Sequence, residues 1–538
     1  MTRTVFTGGT IITSDPAARR TSAVAIEGDR IVAVGDAALA VVDASTEKVD
    51  LKGKTLLPGF HDAHCHPVLG GAHMAEAPIW GVGDLAEVLS IVRRYGDEHP
   101  DLEWIRGFGY LPAMLPNGHG EAALIDAVVG DRPVWLTAND GHTGWANSIA
   151  LERAGIDANT PDPPHGALGR RADGSPSGAL LESAQDLMQT ASPRISRADR
   201  LAGTRRSLEL FRATGVTWVL DTWSTPEDAD MVLDLVQSEQ RLPRIGIALR
   251  ADPDHWRDQR AEFVAARERA RIAAAGNGGR VRVETIKFFA DGVIESGTAA
   301  LLNDYSDRAG YRGIPNWTDT GLAEAVAAFD EDGFQIHIHA IGDAGIRNAL
   351  DAVEQMMDRN GERDRRPTIA HTQLVHPADV PRFARLGVIA NFEPLWAQLD
   401  PLMVDLTIPR LGEERSNWQY PIGALVSSGA LVSFGSDWPV TSLNPLEAIA
   451  VAVTRQTPGG DPPGGWLPDQ RVDLDTAIDL YTAAGAYQSY EEDETGRIAV
   501  GFRADLVILA ADLDLTPPLE LANVKVERVW IDGSEVGR

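Results

Sequence analysis

The sequence predicts an α/β protein: a distorted (β/α)8 TIM barrel, a small β-sandwich domain formed by both chain termini, and an insertion after the first barrel strand. Three observations lead there. Through the middle of the chain, short apolar runs alternate with helical segments such as GLAEAVAAFDEDG and RNALDAVEQMMDRNG, which is the pattern of βα units and a parallel sheet. Both ends carry strands and tight turns instead. One interval, from about 70 to 200, is long and rich in Gly and Pro (PDPPHGALGRRADGSPSG), more than a single crossover needs.

The N-terminal runs TVFTGGTIIT and AVAIEGDRIVAVGD alternate apolar and polar residues, and the second turns through Gly-Asp between two β-branched stretches. ADLVILAADLDL and VERVWIDGSEV repeat this style near the C-terminus. Residues 1–55 and 495–538 are therefore assigned to the composite β domain, and 56–494 to the barrel. The barrel strands, in order, are TLLPGFHDAHCH, GVTWVLDTW, RIGIALRAD, ETIKFFADG, QIHIHAIGD, TIAHTQLV, VIANFEP and LVSFGSDWP. A ninth run, VWLTAND, falls in the long interval and is assigned to the insertion.

At 538 residues the chain exceeds what one core supports, so a large domain with a smaller companion is expected. The formal charge of −29 argues against nucleic acid or an anionic membrane as partner. A single cysteine, Cys65, excludes an intramolecular disulfide and a cysteine-rich zinc site. The N-terminus lacks an apolar signal-peptide core and no run is long enough to span a membrane, so a soluble cytoplasmic protein is expected. The charge and composition leave room for a homodimer.

In a barrel of this kind the chemistry sits at the C-terminal ends of the strands. Strand one ends in His64-Cys65-His66; by strand alternation His64 and His66 share a face and Cys65 points away. Strand four carries Lys287, strand five His337 and His339, strand six His371, and strand eight ends in Asp437. A lone strand histidine is ordinarily a satisfied core residue. Nitrogen and oxygen donors from five strand ends are what a divalent metal such as zinc requires. Lys287 lies in an apolar strand of a chain with only five lysines, where burial would depress its pKa. His61, three residues from His64, is expected on the opposite face as a structural residue, with Asp62 on the His64 face as a support.

PGFHDAHCH resembles the PGF-x-D-x-H-x-H signature of the amidohydrolase superfamily. IKFFADGVIESGTA, HIHAIGDAGI, IAHTQL, GSDWPV, NDGHTGWANSIAL and DGSPSGALLE resemble amidohydrolase family 3, the branch of N-substituted formamide deformylases and YtcJ-like proteins. The resemblance implies that His64, His66 and Asp437 bind one metal and His339 and His371 a second. It also implies that Lys287 is carboxylated by CO2, the carbamate bridging the two ions. An ammonium has no lone pair for a metal, whereas a carbamate offers two anionic oxygens. His337 remains an alternative ligand or a support, ranked below His339.

The function expected on this basis is hydrolysis of a C–N bond in an amide, N-substituted formamide or cyclic amide. Hydroxide generated at the metal attacks the carbonyl, and Asp437 carries the proton to the leaving nitrogen. His142 is the expected carbonyl or oxyanion partner. Trp223, Trp396 and Trp438 after strands two, seven and eight, with Trp145 in the insertion, are expected to shape a pocket for a small apolar or aromatic substrate. Two other readings stand beside this one. Ring deaminases of the superfamily place a glutamate after the strand-five histidine, where this chain has AIGDAG. A metal-bearing barrel that binds without catalysis is the other.

Overall fold

The computed structural model describes residues 3–239 and 241–537, without the side chains at 275 and 277. Eight parallel strands follow one another in chain order: Phe60–Cys65, Val216–Ser224, Arg244–Arg250, Val281–Phe289, Gln335–Ala340, Thr368–His371, Ile389–Phe392 and Leu431–Phe434. Each overlaps one of the eight apolar runs read from the sequence, although Val281–Phe289 begins three residues before ETIKFFADG. Helices packed outside supply the crossovers; Asp319–Glu331 and Asp343–Asn360 bury their apolar faces against strands four to six. The eighth strand meets the first through backbone bonds just beyond the ladder. Asp437 N donates to His64 O (2.8 Å) and His66 N donates to Trp438 O (2.7 Å). These closing bonds lie among the candidate ligands, so the contacts that close the barrel also position the site.

The terminal strands form an eight-stranded sheet drawn from both chain ends, in which Leu506–Leu509 pairs with Thr55–Pro58. TLLPGFHDAHCH is therefore not one strand. Its first half belongs to the terminal sheet and its second to the barrel. Gly59 is the changeover: a Cβ there would lie 2.2 Å from Thr217 Oγ1, so only glycine lets the two backbones approach.

The insertion builds a five-stranded sheet from Ile105–Tyr110, Val134–Ala138, Thr143–Ala146, Gly166–Arg170 and Pro176–Glu182. VWLTAND lies here. The sheet has its own apolar cluster, including Tyr110, Leu136 and Trp145. Its tip reaches the barrel mouth, where Asn139 Nδ2 donates to Val440 O (3.1 Å) and Trp80 Nε1 donates to Pro439 O.

Strand one is irregular. Asp62 pairs with Val219 but Cys65 pairs with Asp221, so three steps on one strand face two on the other. Simple alternation does not carry through this bulge. His61 stacks on its register partner Trp218 at 5.3 Å and 6°, and neither ring nitrogen has a hydrogen-bond partner among the described residues. The expectation that His61 sits on the face opposite His64 assumed an unbroken strand, and the bulge removes its basis. Burial drives the His61 pKa down to about 3, so the ring is a neutral packing element.

Candidate metal centre

His64 is the hub. Its Nε2 lies 3.2 Å from Lys287 Nζ and 3.5 Å from Asp437 Oδ1. Its Nδ1 lies 2.9 Å from His337 Nε2. His66 Nε2 is 2.7 Å from Asp437 Oδ1, and the His371 ring is 4.8 Å from that of His64. All of these residues are buried. Two donor triads have ligand atoms within 4.8 Å of one another: His64, His66 and Asp437, and His64, His371 and Glu393.

Orphaned atoms test whether this set fits a cation. Asp437 Oδ1, Glu393 Oε1 and His337 Nδ1 are buried and accept or donate no hydrogen bond among the described residues. His66 Nε2 approaches Asp437 Oδ1 to 2.7 Å without forming a hydrogen bond to it. Buried polar groups are normally satisfied, and an ion between such atoms would satisfy them. Imidazoles and carboxylates are also the donor chemistry of zinc and its neighbours.

The electrostatics agree. Burial first, and then Lys287, hold His64 well below the usual imidazole range, and burial does the same for His337, His339 and His371. Neutral imidazoles keep the lone pair a metal needs. Burial lowers Lys287 to about 7, against the opposing pull of Asp437 and Glu393. Burial, reinforced by Asp437, drives Glu393 well above the usual carboxyl range.

Each predicted residue can now be placed. His339 and His371 are neighbours, with rings 4.5 Å apart, but His339 Nε2 donates to Gly292 O (3.2 Å) and His371 Nδ1 sits 2.9 Å from Glu393 Oε2. His337 approaches His64 directly, in the position of a support. Asp62 Oδ1 accepts from the backbone of His64 and Ser436, tying strands one and eight together. His142 reaches the cavity from the insertion, its ring 5.1 Å from His339, and its Nδ1 donates to Glu182 Oε2 (2.7 Å). Burial opposes charge on His142, but Glu182 outweighs it and the pKa is pushed up to about 9.

Trp223 and Trp396 line the cavity; Trp396 stacks on His371 at 5.2 Å and 4°. Trp145 and Trp438 do not, and both expectations are corrected. Trp145 is fully buried in the insertion's own core against Tyr110, with Nε1 donating to Glu121 O. Trp438 follows Asp437 and so turns away from it, packing on Phe211 and over Gly70. Phe289 and Phe108 supply the aromatic wall instead.

Three residues were missed. Glu393 directly follows buried strand seven, so the strand-end rule that found Asp437 would have found it. Asp291, after strand four, accepts from the backbones of Ala300, Ile341 and Gly342 and braces two site loops. Glu182 had no barrel position to reveal it. It is held by Thr298 Oγ1, and a Cβ on Gly292 would lie 2.1 Å from its Oε1, so glycine makes room for it. Glu182, His371 and Asp437 all have left-handed backbone (φ 51°, 71° and 53°), a strain that clusters at functional sites.

Comparison with known proteins places the chain in a family. The family model described as "Amidohydrolase family" matches residues 47–536. The chain is similar to the Protein LONG AFTER FAR-RED 3 of Arabidopsis thaliana, 30% identical over 94% of this chain and 87% of that protein. It is 27% identical to the N-substituted formamide deformylase of Arthrobacter pascens, over 95% of this chain and 94% of that one. An uncharacterized metal-dependent hydrolase from Pyrococcus horikoshii OT3 shares the fold, with TM-score 0.72 and 23% identity over 100% of both chains. On its family match, and with this barrel, the chain belongs to the amidohydrolase family.

Proposed function

We propose that this protein is a metal-dependent hydrolase of a C–N bond in a small amide, N-substituted formamide or cyclic amide. One observation carries the reading: donors from five barrel strands converge on His64 at the catalytic end, leaving carboxylate and imidazole atoms without a hydrogen-bond partner among the described residues. His64, His66 and Asp437 would hold one ion, and His339 and His371 a second, with Glu393 placed to assist. Zinc suits this donor set, and Lys287, as its carbamate, would bridge the pair. When bound there, such a metal supplies Lewis acidity for a carbonyl oxygen and a lowered pKa for water.

The chain's own residues do the rest. The Asp437 carboxylate is placed to take a proton from water and return it to the leaving nitrogen. Glu182 fixes His142 through Nδ1, which leaves the opposite ring nitrogen to donate to the carbonyl oxygen as charge develops on it. Trp223, Phe289 and Trp396 exclude water and favour an apolar or aromatic substituent. The name of the deformylase relative supports amide-type substrates.

The test is a panel of amides, N-substituted formamides and lactams, followed by amine and acid release with zinc-loaded protein. Turnover lost on chelation and restored by zinc is the expected result. Release of ammonia from a heterocycle instead, or no turnover at full metal loading, would contradict it.

A further inference from the structure

The insertion's hairpin turns through residues 139–142, between the strands Val134–Ala138 and Thr143–Ala146. Asp140, in this turn, lines the cavity beside the His64 cluster. Its two oxygens are used differently. Oδ1 accepts from the backbone amides of His142 (2.7 Å) and Thr143 (3.2 Å) and so holds the turn. Oδ2 is buried and has no hydrogen-bond partner among the described residues. An asparagine would hold the same turn, so the turn does not account for the second oxygen or its charge. Nor does a metal at His64, because Asp140 belongs to neither donor triad.

The surrounding charge has the same sign. The side chains of Glu182 and Glu295 are buried near enough for their charges to act on Asp140. Among the described residues no lysine or arginine nitrogen lies within 4.0 Å of any of the three carboxylates. His142 pairs with Glu182. Three carboxylates against one imidazolium leave a local surplus of two negative charges. Burial, against the pull of His142, pushes Asp140 up to about 6, which leaves it ionised at pH 7. A buried ionised oxygen is normally met by a donor, and a charged donor makes the stronger bond. Only one oxygen of Asp140 is free, which suits a compact ammonium better than a two-pronged guanidinium. Trp223 and Phe289, lining the same cavity, offer apolar surface to a methylene stem.

We infer that Asp140 is a specificity-determining residue, and that the substrates carry an ammonium group on the amine side of the scissile bond: diamines acylated on one nitrogen. This rests on the hydrolase reading above, and in its formamide form the amine side alone has a substituent to recognise. The ammonium pairs with Asp140 Oδ2, the methylene stem lies on Trp223 and Phe289, and the amide carbonyl reaches the His64 cluster. Water adds across the C–N bond. The acyl carbon takes the hydroxyl, the nitrogen takes the proton, and a carboxylic acid and a free diamine leave.

The test uses mono-N-formyl diaminoalkanes with about two to five methylenes between the nitrogens, a span set by the reach of a short stem. Each is compared with the N-alkylformamide in which a methyl replaces the ammonium, and with the one in which a hydroxyl does. The readout is the ratio of kcat/KM within each set on full-length, zinc-loaded protein, so a general loss of activity or folding cancels. The expected ratio is about tenfold or more for ammonium over methyl at one chain length, collapsing in Asp140→Asn, which keeps the oxygen that holds the turn. Ratios near one at every length in the wild type, or an equal ratio in Asp140→Asn, overturn the proposal. A hydroxyl that gains as much as the ammonium also overturns it, by making Asp140 an acceptor for neutral groups. If no compound is hydrolysed, the hydrolase reading fails for this class, and calorimetric titration of the same sets decides on Asp140. Tighter binding of an ammonium compound that Asp140→Asn abolishes supports it; equal binding within each set, or none, overturns it.

Discussion

His337 Nε2 lies 2.9 Å from His64 Nδ1, on the far side of the imidazole from Lys287 and Asp437. One imidazole aims another. The contact commits His64 Nδ1 to the protein and leaves Nε2 for the cavity. Hydrogen bonds of this kind orient metal-binding histidines, and losing them typically costs about 10–100-fold in metal affinity. His337→Ala is therefore expected to weaken zinc retention by about that factor, measured by chelator competition. An unchanged affinity would make His337 a packing residue.

Lys287→Ala is expected to remove most of the second-ion binding and most of the activity. Carbamate formation needs the neutral amine, which burial favours by bringing Lys287 to about 7. In wild type, 13C-labelled bicarbonate should give a carbamate carbon resonance that disappears in the variant. Full activity in Lys287→Ala rejects the bridged arrangement.

The same residue gives metal-free protein a pH-dependent stability. Its pKa is about 7 when folded and 10.5 ordinarily, so between these values the unfolded chain binds the extra proton. Stability then rises with pH through that window, and the penalty is complete below it. Lys287→Met should raise the melting temperature of metal-free protein at pH 7 and flatten its climb towards pH 10. A parallel pH profile in both proteins would show that the lysine does not set it.

Glu182→Gln keeps the size of the side chain but removes the charge that holds His142. Losing an oxyanion donor costs about 10²–10³-fold in kcat, and loosening one costs less. The variant is expected to lose about tenfold or more in kcat with little change in KM, and His142→Asn to lose more. Wild-type turnover in both would remove His142 from the mechanism.

The two groups of tryptophans separate packing from recognition. Truncating buried Trp145 should destabilise the protein by about 3–5 kcal/mol, read as a fall in melting temperature. Trp223→Ala, at the half-buried cavity wall, should leave the melting temperature nearly unchanged and raise KM.

Much of this site could be read in the sequence because barrels concentrate chemistry at strand ends. His64, His66, His371 and Asp437 stand out as polar residues closing apolar runs, and Lys287 as a lysine inside one. What escaped depends on local geometry or on distant contacts. The bulge in strand one breaks the two-residue period, so the side on which His61 lies could not be counted from His64. Trp438 was misassigned because it adjoins Asp437 in sequence, although neighbouring residues there face opposite ways. Trp145 was misassigned because the insertion has a core of its own. Glu182 meets His142 only after two strands of that insertion pair, and no spacing rule announces this.

Anomalous diffraction at the zinc edge from crystals of zinc-loaded protein tests the central claim most directly. The account predicts a peak bounded by His64 Nε2, His66 Nε2 and Asp437 Oδ1. A peak only elsewhere, or an empty cage in protein that still hydrolyses its substrate, would contradict it.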